Sequence, residues 1–136
     1  MKLRAVNEWD ALRTVVVGTA QSMGGIPTVE ESYDPKSKEH ILAGTFPLEA
    51  DCADELDGLV RLLESQDVRV LRPQNVPDLN QIFARDVGAV VDDRVIITRM
   101  ISDRAEEWEG IAPLLESVPD RHQLNPPAGV RVEGGD

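Results

Sequence analysis

Hydrophobic positions in the first half of the chain follow both strand and helix patterns. A β-branched run at residues 14–17 ends at Gly18 and predicts a fully buried strand. Residues 68–71 alternate between apolar and polar positions and predict a second strand. Between the two strands an amphipathic helix is expected to begin at Pro47, where a missing N–H costs little. Its apolar stripe is formed by Leu48, Cys52, Leu56, Leu59 and Leu63.

The second half of the chain predicts a hairpin, a helix and a final strand. Residues 86–91 and 95–98 are the expected hairpin arms, and residues 130–132 the last strand. We expect Asp103 to cap the intervening helix with Glu106 as its capping-box partner, and Pro113 to kink or restart it. The predicted buried face of this helix consists of Trp108, Ile111, Leu115 and Val118.

This order of elements indicates an α/β architecture with a hint of a repeated ββαβ unit. Residues 19–47 hold three prolines, three glycines and little periodicity, and predict a long loop with short structured pieces. The last predicted strand has nothing after it to cover its second face. We therefore expect the chain to be part of a longer protein. Its open sheet edge and apolar face would favour self-association, so a homo-oligomer is possible.

Composition narrows the class of protein and of partner. A length of 136 residues suits one domain, and a net charge of −11 disfavours nucleic acid and anionic membranes. A single cysteine excludes an internal disulfide framework and fits a reducing cytoplasm. No apolar run approaches membrane length. We expect a cytoplasmic protein that binds a small cationic molecule and needs neither cofactor nor metal.

Two short polar segments carry the candidate chemistry. Asn80 precedes the pair Arg85-Asp86, which could be a surface ion pair beside an Asx turn. Alternatively, Asp86 accepts a planar cation whose polar end Asn80 fixes. The Glu-Gly-Gly-Asp segment at residues 133–136 could be a β-turn with solvated acids. Because glycine lets the backbone approach a ligand closely, its acids could instead converge with Asp86 on a guanidinium.

Together, three segments resemble a known enzyme family. Residues 7–12 (Asn-Glu-Trp-Asp-Ala-Leu) and the valines before Gly18 resemble the opening of the amidinotransferases. Residues 83–86 (Phe-Ala-Arg-Asp) resemble a motif shared by amidinotransferases, arginine deiminases and dimethylarginine hydrolases. Residues 133–136 resemble the Glu-Gly-Gly-Asp motif of the deiminase branch. The motifs occur in the family's order and span essentially the whole chain.

The resemblance implies a pentein fold, an α/β propeller of five ββαβ modules around a central site, of which this chain would supply roughly the first two. It implies that Asp86 grips the substrate guanidinium and that Glu133 orients a catalytic histidine. Asn80 and Asp136 resemble residues that hold the amino-acid end of the substrate. Arg104 could be the arginine that binds the substrate carboxylate, or simply a charge in the first turn of a helix.

In this family a cysteine thiolate attacks the guanidino carbon and a histidine shuttles protons. Both residues follow the Glu-Gly-Gly-Asp motif in the family, so we expect this chain to lack them and to be inactive alone. Cys52 lies on the predicted apolar stripe and is expected to be an inert core thiol. We interpret His40 and His122 as loop or surface residues.

The resemblance leaves the subclass open. The opening segment favours the transferases, whereas the Glu-Gly-Gly-Asp motif favours hydrolases of the arginine deiminase or dimethylarginine hydrolase type. A non-catalytic module that binds arginine or a partner protein, and is complete at Asp136, is the alternative from another class.

Overall fold

The computed structural model describes residues 2–7, 9–132 and 134. Its strands are β1 Thr14–Val16, β2 Arg69–Leu71, β3 Gly88–Val91, β4 Arg94–Ile97 and β5 Gln123–Leu124. Its helices are α1 Pro35–Ala43, α2 Glu49–Glu64, α3 Ala84–Val87 and α4 Glu107–Leu115. Single 3-10 turns lie at Ser102–Arg104 and Asp120–His122. The alternation of elements confirms the predicted α/β class.

The first sheet consists of β1 and β2, which pair in parallel with Val15 opposite Val70. Helix α2 makes the crossover that parallel strands require. The prediction that β1 is fully buried is wrong, because Thr14 is exposed and only the following Val17 is buried. A parallel strand is enclosed only when helices cover both faces of its sheet.

Helix α2 confirms the predicted amphipathic helix with two corrections. It begins at Glu49 with Leu48 as its N-cap, so Pro47 precedes the helix and does not open it. Leu59 is 45% exposed and lies off the inward face. The partly buried positions are Cys52, Ala53, Leu56, Gly58, Val60 and Leu63. No residue of the helix is buried completely, so α2 lies at the surface with its apolar side half covered.

The second sheet has the order β3-β4-β5. Strands β3 and β4 form the predicted hairpin, with Val91 opposite Arg94 across a two-residue turn in which Asp92 has a φ of 54°. The predicted strand start at Asp86 is wrong. Residues Ala84–Val87 instead form the short helix α3, where the Asp86 N–H donates to the Phe83 carbonyl oxygen.

Strand β5 was not predicted, and it pairs in parallel with β4. The order β3-β4-α4-β5 is therefore a ββαβ unit. The predicted final strand at residues 130–132 is reduced, within the described residues, to an isolated bridge between Val132 and Arg99.

Helix α4 supplies the main core but starts differently from the prediction. Asp103 lies in a 3-10 turn and accepts a hydrogen bond from Ser102, while Glu106 is the N-cap without a side-chain cap bond. The predicted capping box is therefore wrong. The helix also runs through Pro113 without restarting. Burial of its apolar face offsets the backbone hydrogen bond that proline removes. The buried cluster consists of Val87, Val95, Met100, Ile111, Leu115 and Val118, with Trp108 packed against it.

The segment at residues 19–47 contains helix α1. Asp34 caps this helix by accepting from the Ser37 N–H at 2.6 Å, and Gly44 ends it with a φ of 68°. No residue of α1 is buried. Local capping signals, and not an apolar stripe, therefore mark this helix in the sequence.

Candidate active site

The two segments singled out in the sequence meet in the fold. The backbone N–H of Gly134 donates to the carbonyl oxygen of Asp86 at 2.9 Å. A Cβ atom at Gly134 would overlap the carbonyl oxygen of Arg85. Glycine at this position is therefore what allows the backbone at Gly134 to lie against the Arg-Asp motif. Glu133 and Asp136, which were expected to carry chemistry here, lie outside the described residues.

Arg99 binds the segment that precedes Gly134. Its backbone exchanges hydrogen bonds with Val132 at 2.9 and 3.2 Å. Its guanidinium donates to the carbonyl oxygens of Pro127 at 2.7 Å and Pro126 at 3.1 Å. One side chain thus ties the end of the hairpin to the segment that carries Gly134.

Asp86 is the carboxylate at the centre of the site. Its side chain is 17% exposed and meets two cations of its own chain. Arg104 Nη1 donates to Oδ2 at 3.1 Å, and Arg85 Nε donates to Oδ1 at 3.3 Å. The Arg85 side chain is 80% exposed, so water weakens that second pair.

Arg104 is held by a residue that the sequence analysis missed. Its Nε and Nη2 groups donate to the two carboxylate oxygens of Glu107, at 2.7 and 2.9 Å. The Glu107 hydrogen bonds, ahead of the opposing effect of burial, raise the pKa of the Arg104 guanidinium. Arg104 and Glu107 are three residues apart, where helical side chains meet. That spacing is the signal that could have identified Glu107.

Asn80 lies apart from this ion-paired group. It is exposed, and its Oδ1 accepts from the Ile82 N–H at 3.1 Å, which is the Asx turn that the sequence allows. In the described part of the chain no hydrogen bond joins Asn80 to Asp86 or Arg104. Of the predicted site residues, the structure therefore brings Asp86 and Arg104 together and leaves Asn80 on the loop.

Gln81 organises the loop that leads to Asp86. It is buried, accepts from the Val76 N–H at 2.8 Å and donates to the Gln74 carbonyl oxygen at 3.0 Å. Its own carbonyl oxygen accepts from the Thr19 N–H at 3.0 Å. Gly110 lies so close that a Cβ atom there would overlap the Gln81 amide. Gln81 is therefore a structural neighbour of the site.

The candidate nucleophile Cys52 and the candidate bases His40 and His122 lie away from Asp86. Burial, assisted by Glu55 and Asp51, raises the pKa of the half-buried Cys52 thiol, which disfavours the reactive thiolate. His40 lies in the last turn of α1, and its Nδ1 contacts the hydroxyl of Thr45, which follows the helix. His122 Nδ1 lies 3.1 Å from Asp93 at the far end of the hairpin from Asp86. Among the described residues, no group of histidine, cysteine, aspartate and glutamate side chains is arranged to hold a metal ion.

No helix in the described ranges is long and apolar enough to cross a membrane. Models of known protein families and curated protein sequences give no significant match to the chain.

Solved structures do match the fold. An amidinotransferase of the saxitoxin biosynthetic pathway from Microseira wollei superposes with a TM-score of 0.66 at 22% identity, over 92% of this chain and 42% of its own. The inosamine-phosphate amidinotransferase of Streptomyces griseus gives 0.62 at 22% identity, over 92% and 43%. Dimethylarginine dimethylaminohydrolase, as an adduct with S-methyl-L-thiocitrulline, gives 0.66 at 20% identity, over 93% and 46%.

The chain therefore spans less than half the length of each of these enzymes. Two of them are transferases and one is a hydrolase, so the fold does not separate the two subclasses. The chain therefore has an α/β fold that it shares with part of two amidinotransferases and of dimethylarginine dimethylaminohydrolase.

Proposed function

We propose that this chain is the N-terminal portion of an enzyme that modifies the guanidino group of arginine or a close analogue. The observation that carries the proposal is the contact between Gly134 and Asp86, which joins two motifs at one partly buried carboxylate. A carboxylate in this position suits a guanidinium, whose N–H fork matches its oxygens. The shared fold with enzymes of guanidino chemistry supports the same reading.

The proposed architecture is a partial pentein that contains about two of its ββαβ modules. The unit β3-β4-α4-β5 supports one complete module, and β1, α2 and β2 support a less regular first one. The coverage of 42–46% of the neighbouring chains is consistent with this count.

The proposed reaction proceeds through a covalent cysteine–amidino intermediate. A thiolate attacks the guanidino carbon, the substrate amine leaves with a proton from a histidine, and the amidino group remains on sulfur. An acceptor amine then takes the amidino group and releases the thiolate. In the hydrolase alternative, the terminal guanidino nitrogen leaves as ammonia, and water then releases citrulline from sulfur. In this proposal, the cysteine and histidine come from outside these 136 residues. Asp86 holds the guanidinium, Glu133 orients the histidine, and Arg104, Asn80 and Asp136 bind the remainder of the substrate.

The test is product analysis with the full-length protein. Guanidino-labelled arginine, with and without an added primary amine, should yield a labelled amidino product only when the amine is present. The isolated 136-residue chain should yield none. Turnover by the isolated chain would refute the proposed division of the active site.

The hydrolase is the second candidate function, and the match to dimethylarginine dimethylaminohydrolase favours it as strongly as the first. Release of citrulline without any added amine would identify a hydrolase. Binding of arginine without any product, by a full-length protein of about this chain's mass, would instead indicate a non-catalytic module.

A further inference from the structure

The side chain of Gln81 closes the loop that precedes it. Gln81 is 4% exposed, its Oε1 accepts from the Val76 N–H at 2.8 Å, and its Nε2 donates to the Gln74 carbonyl oxygen at 3.0 Å. A buried amide is unfavourable unless its polar ends have partners. Backbone groups at residues 74 and 76 supply a partner at each end, so this one side chain fixes the loop between Gln74 and Gln81.

Two other parts of the fold hold the same loop from outside. At its start, the Gln74 N–H donates to the Gly110 carbonyl oxygen of α4 at 2.8 Å. At its end, the Gln81 carbonyl oxygen accepts at 3.0 Å from the N–H of Thr19, which follows β1. A Cβ atom at Gly110 would overlap the Gln81 amide, and one at Gly18 would overlap the Gln81 carbonyl oxygen. The two glycines therefore let α4 and the end of β1 approach Gln81 closely.

The loop leads directly into the short helix that carries Asp86. Helix α3 has four residues, and two residues separate it from Gln81. Its last residue, Val87, is 2% exposed and belongs to the core cluster. Gln81 is the nearest buried residue on the other side of Asp86 along the chain. Helix α3 therefore lies between two fixed points, an apolar one at Val87 and a hydrogen-bonded one at Gln81.

We propose that Gln81 is a positioning residue that sets the place of the Asp86 carboxylate, and thereby the affinity of the site for a guanidinium cation. The inference rests on the proposed function. A carboxylate matches the N–H fork of a guanidinium only within a narrow range of positions and orientations. Loss of the two Gln81 side-chain bonds would release residues 74–81, and the start of α3 would move with them.

The experiment compares Gln81→Met with the wild type in the full-length protein. Methionine is unbranched and fills the space of glutamine without making either hydrogen bond. We expect arginine binding, measured by calorimetry, to weaken about tenfold or more, because small misplacements of a binding group are costly. Amide hydrogen exchange should become faster at Asp86, whose N–H bonds Phe83, and at Gly134, whose N–H bonds Asp86. Exchange at Leu115, a buried residue of α4, should change less.

Gln123→Met is the matched control for the loss of a glutamine hydrogen bond. It removes a partly buried bond to the Val118 carbonyl oxygen at 2.9 Å, in the segment that follows α4. Arginine affinity and exchange at Asp86 should stay within about twofold of the wild type. Equal effects of Gln123→Met and Gln81→Met would overturn the inference. It would also be overturned by unchanged arginine binding in folded Gln81→Met, or by exchange that becomes faster to the same degree at Asp86 and in α4.

Failure of the proposed function gives a different result. If the wild-type protein does not bind arginine, the proposed function fails before any substitution is made, and the role of Gln81 fails with it. Arginine binding by the wild type together with an unaffected Gln81→Met variant contradicts the role of Gln81 alone.

If Gln81→Met does not fold, Gln81→Glu gives the answer. Its protonated carboxyl accepts and donates as glutamine does, whereas the ionised form cannot donate to the Gln74 carbonyl oxygen. Burial, and the Glu107 carboxylate that lines the same space, favour the protonated form. Arginine affinity relative to the wild type should therefore fall as the pH rises from about 5 to about 9. A ratio that stays constant over this range would contradict the inference.

Discussion

The N–H of Gly134 donates to the carbonyl oxygen of Asp86, and this bond connects the last motif of the chain to the short helix α3. The contact is between backbones, so it fixes the two segments without consuming the Asp86 carboxylate. The carboxylate oxygens remain directed at Arg85 and Arg104. The Asp86 carboxylate and the motif that approaches it are thus positioned by separate interactions.

The first prediction concerns the space at Gly134. In Gly134→Ala the new methyl group would overlap the Arg85 carbonyl oxygen and lie 3.2 Å from Asp86 Cα. Backbone atoms cannot rotate away, so we expect a loss of about 1–3 kcal/mol in the free energy of unfolding. Urea denaturation measures this loss. Gly25→Ala is the control, because nothing lies within 4 Å of a Cβ atom there. Equal stability of the two variants would contradict the close packing of Gly134.

The second prediction concerns Gln81. Gln81→Ala removes the partners of the Val76 N–H and the Gln74 carbonyl oxygen, and both of these hydrogen bonds are partly buried. Because unpaired buried polar groups are costly, we expect the free energy of unfolding to fall by about 2–4 kcal/mol. Gln66→Ala, at an exposed position with only 3.4 Å bonds to Ser65, should change it by less than about 0.5 kcal/mol. A similarly small loss for Gln81→Ala would show that this side chain does not hold the loop.

The elements that the sequence predicted well are those with a long apolar repeat. Helix α2 and the buried residues Ile111, Leu115 and Val118 follow directly from helical periodicity. Strand β5 has only two residues and no alternation that a pattern can reveal. Helix α1 buries no residue, so its sequence carries capping signals without an apolar stripe. Strand β5 depends on its tertiary pairing with β4, and helix α1 depends on its local caps. Hydrophobic patterns encode neither.

In the candidate site, a sequence motif marks Asp86 but not Glu107. Asp86 was singled out from its motif, and the structure gives it a partly buried position beside Arg104. Glu107 was missed because the sequence was interpreted as a capping box centred on Asp103. The 3-10 turn at Ser102–Arg104 shifts the helix start and places Glu107, three residues from Arg104, in the interior. A shift of this kind depends on the packing of α4 against the hairpin.

The third prediction concerns the reactivity of Cys52. Burial first, and then Glu55 and Asp51, raise the pKa of this thiol. The thiolate is therefore scarcer than in an ordinary cysteine at the same pH, and alkylation by iodoacetamide at pH 8 should be slower in the folded protein than in urea. Cys52→Ala should leave the activity of the full-length enzyme unchanged. Loss of activity in a stable Cys52→Ala variant would place this residue in the chemistry.

The fourth prediction concerns the cap of α1. The hydrogen bond from the Ser37 backbone N–H lowers the pKa of Asp34 below its ordinary value of 3.8. A lowered folded-state pKa means that the cap stabilises α1 above about pH 4 and that this stabilisation is lost as the pH falls further. Asp34→Ala should speed amide hydrogen exchange within Pro35–Ala43 at neutral pH. Asp34→Ser should keep the protection, since serine also caps, and should lose its acid dependence.

The last prediction concerns Arg99, which bonds the carbonyl oxygens of Pro126 and Pro127 and pairs with Val132. Arg99→Met keeps an apolar stem but removes both side-chain bonds, so residues 126–132 should loosen. We expect faster hydrogen exchange at the Val132 and Gly134 N–H groups, and a lower kcat in the full-length enzyme. Arg94→Met is the control, because Arg94 only approaches Asp93 at 4.0 Å on the surface. Unchanged exchange at Gly134 would mean that the Asp86 contact alone positions this segment.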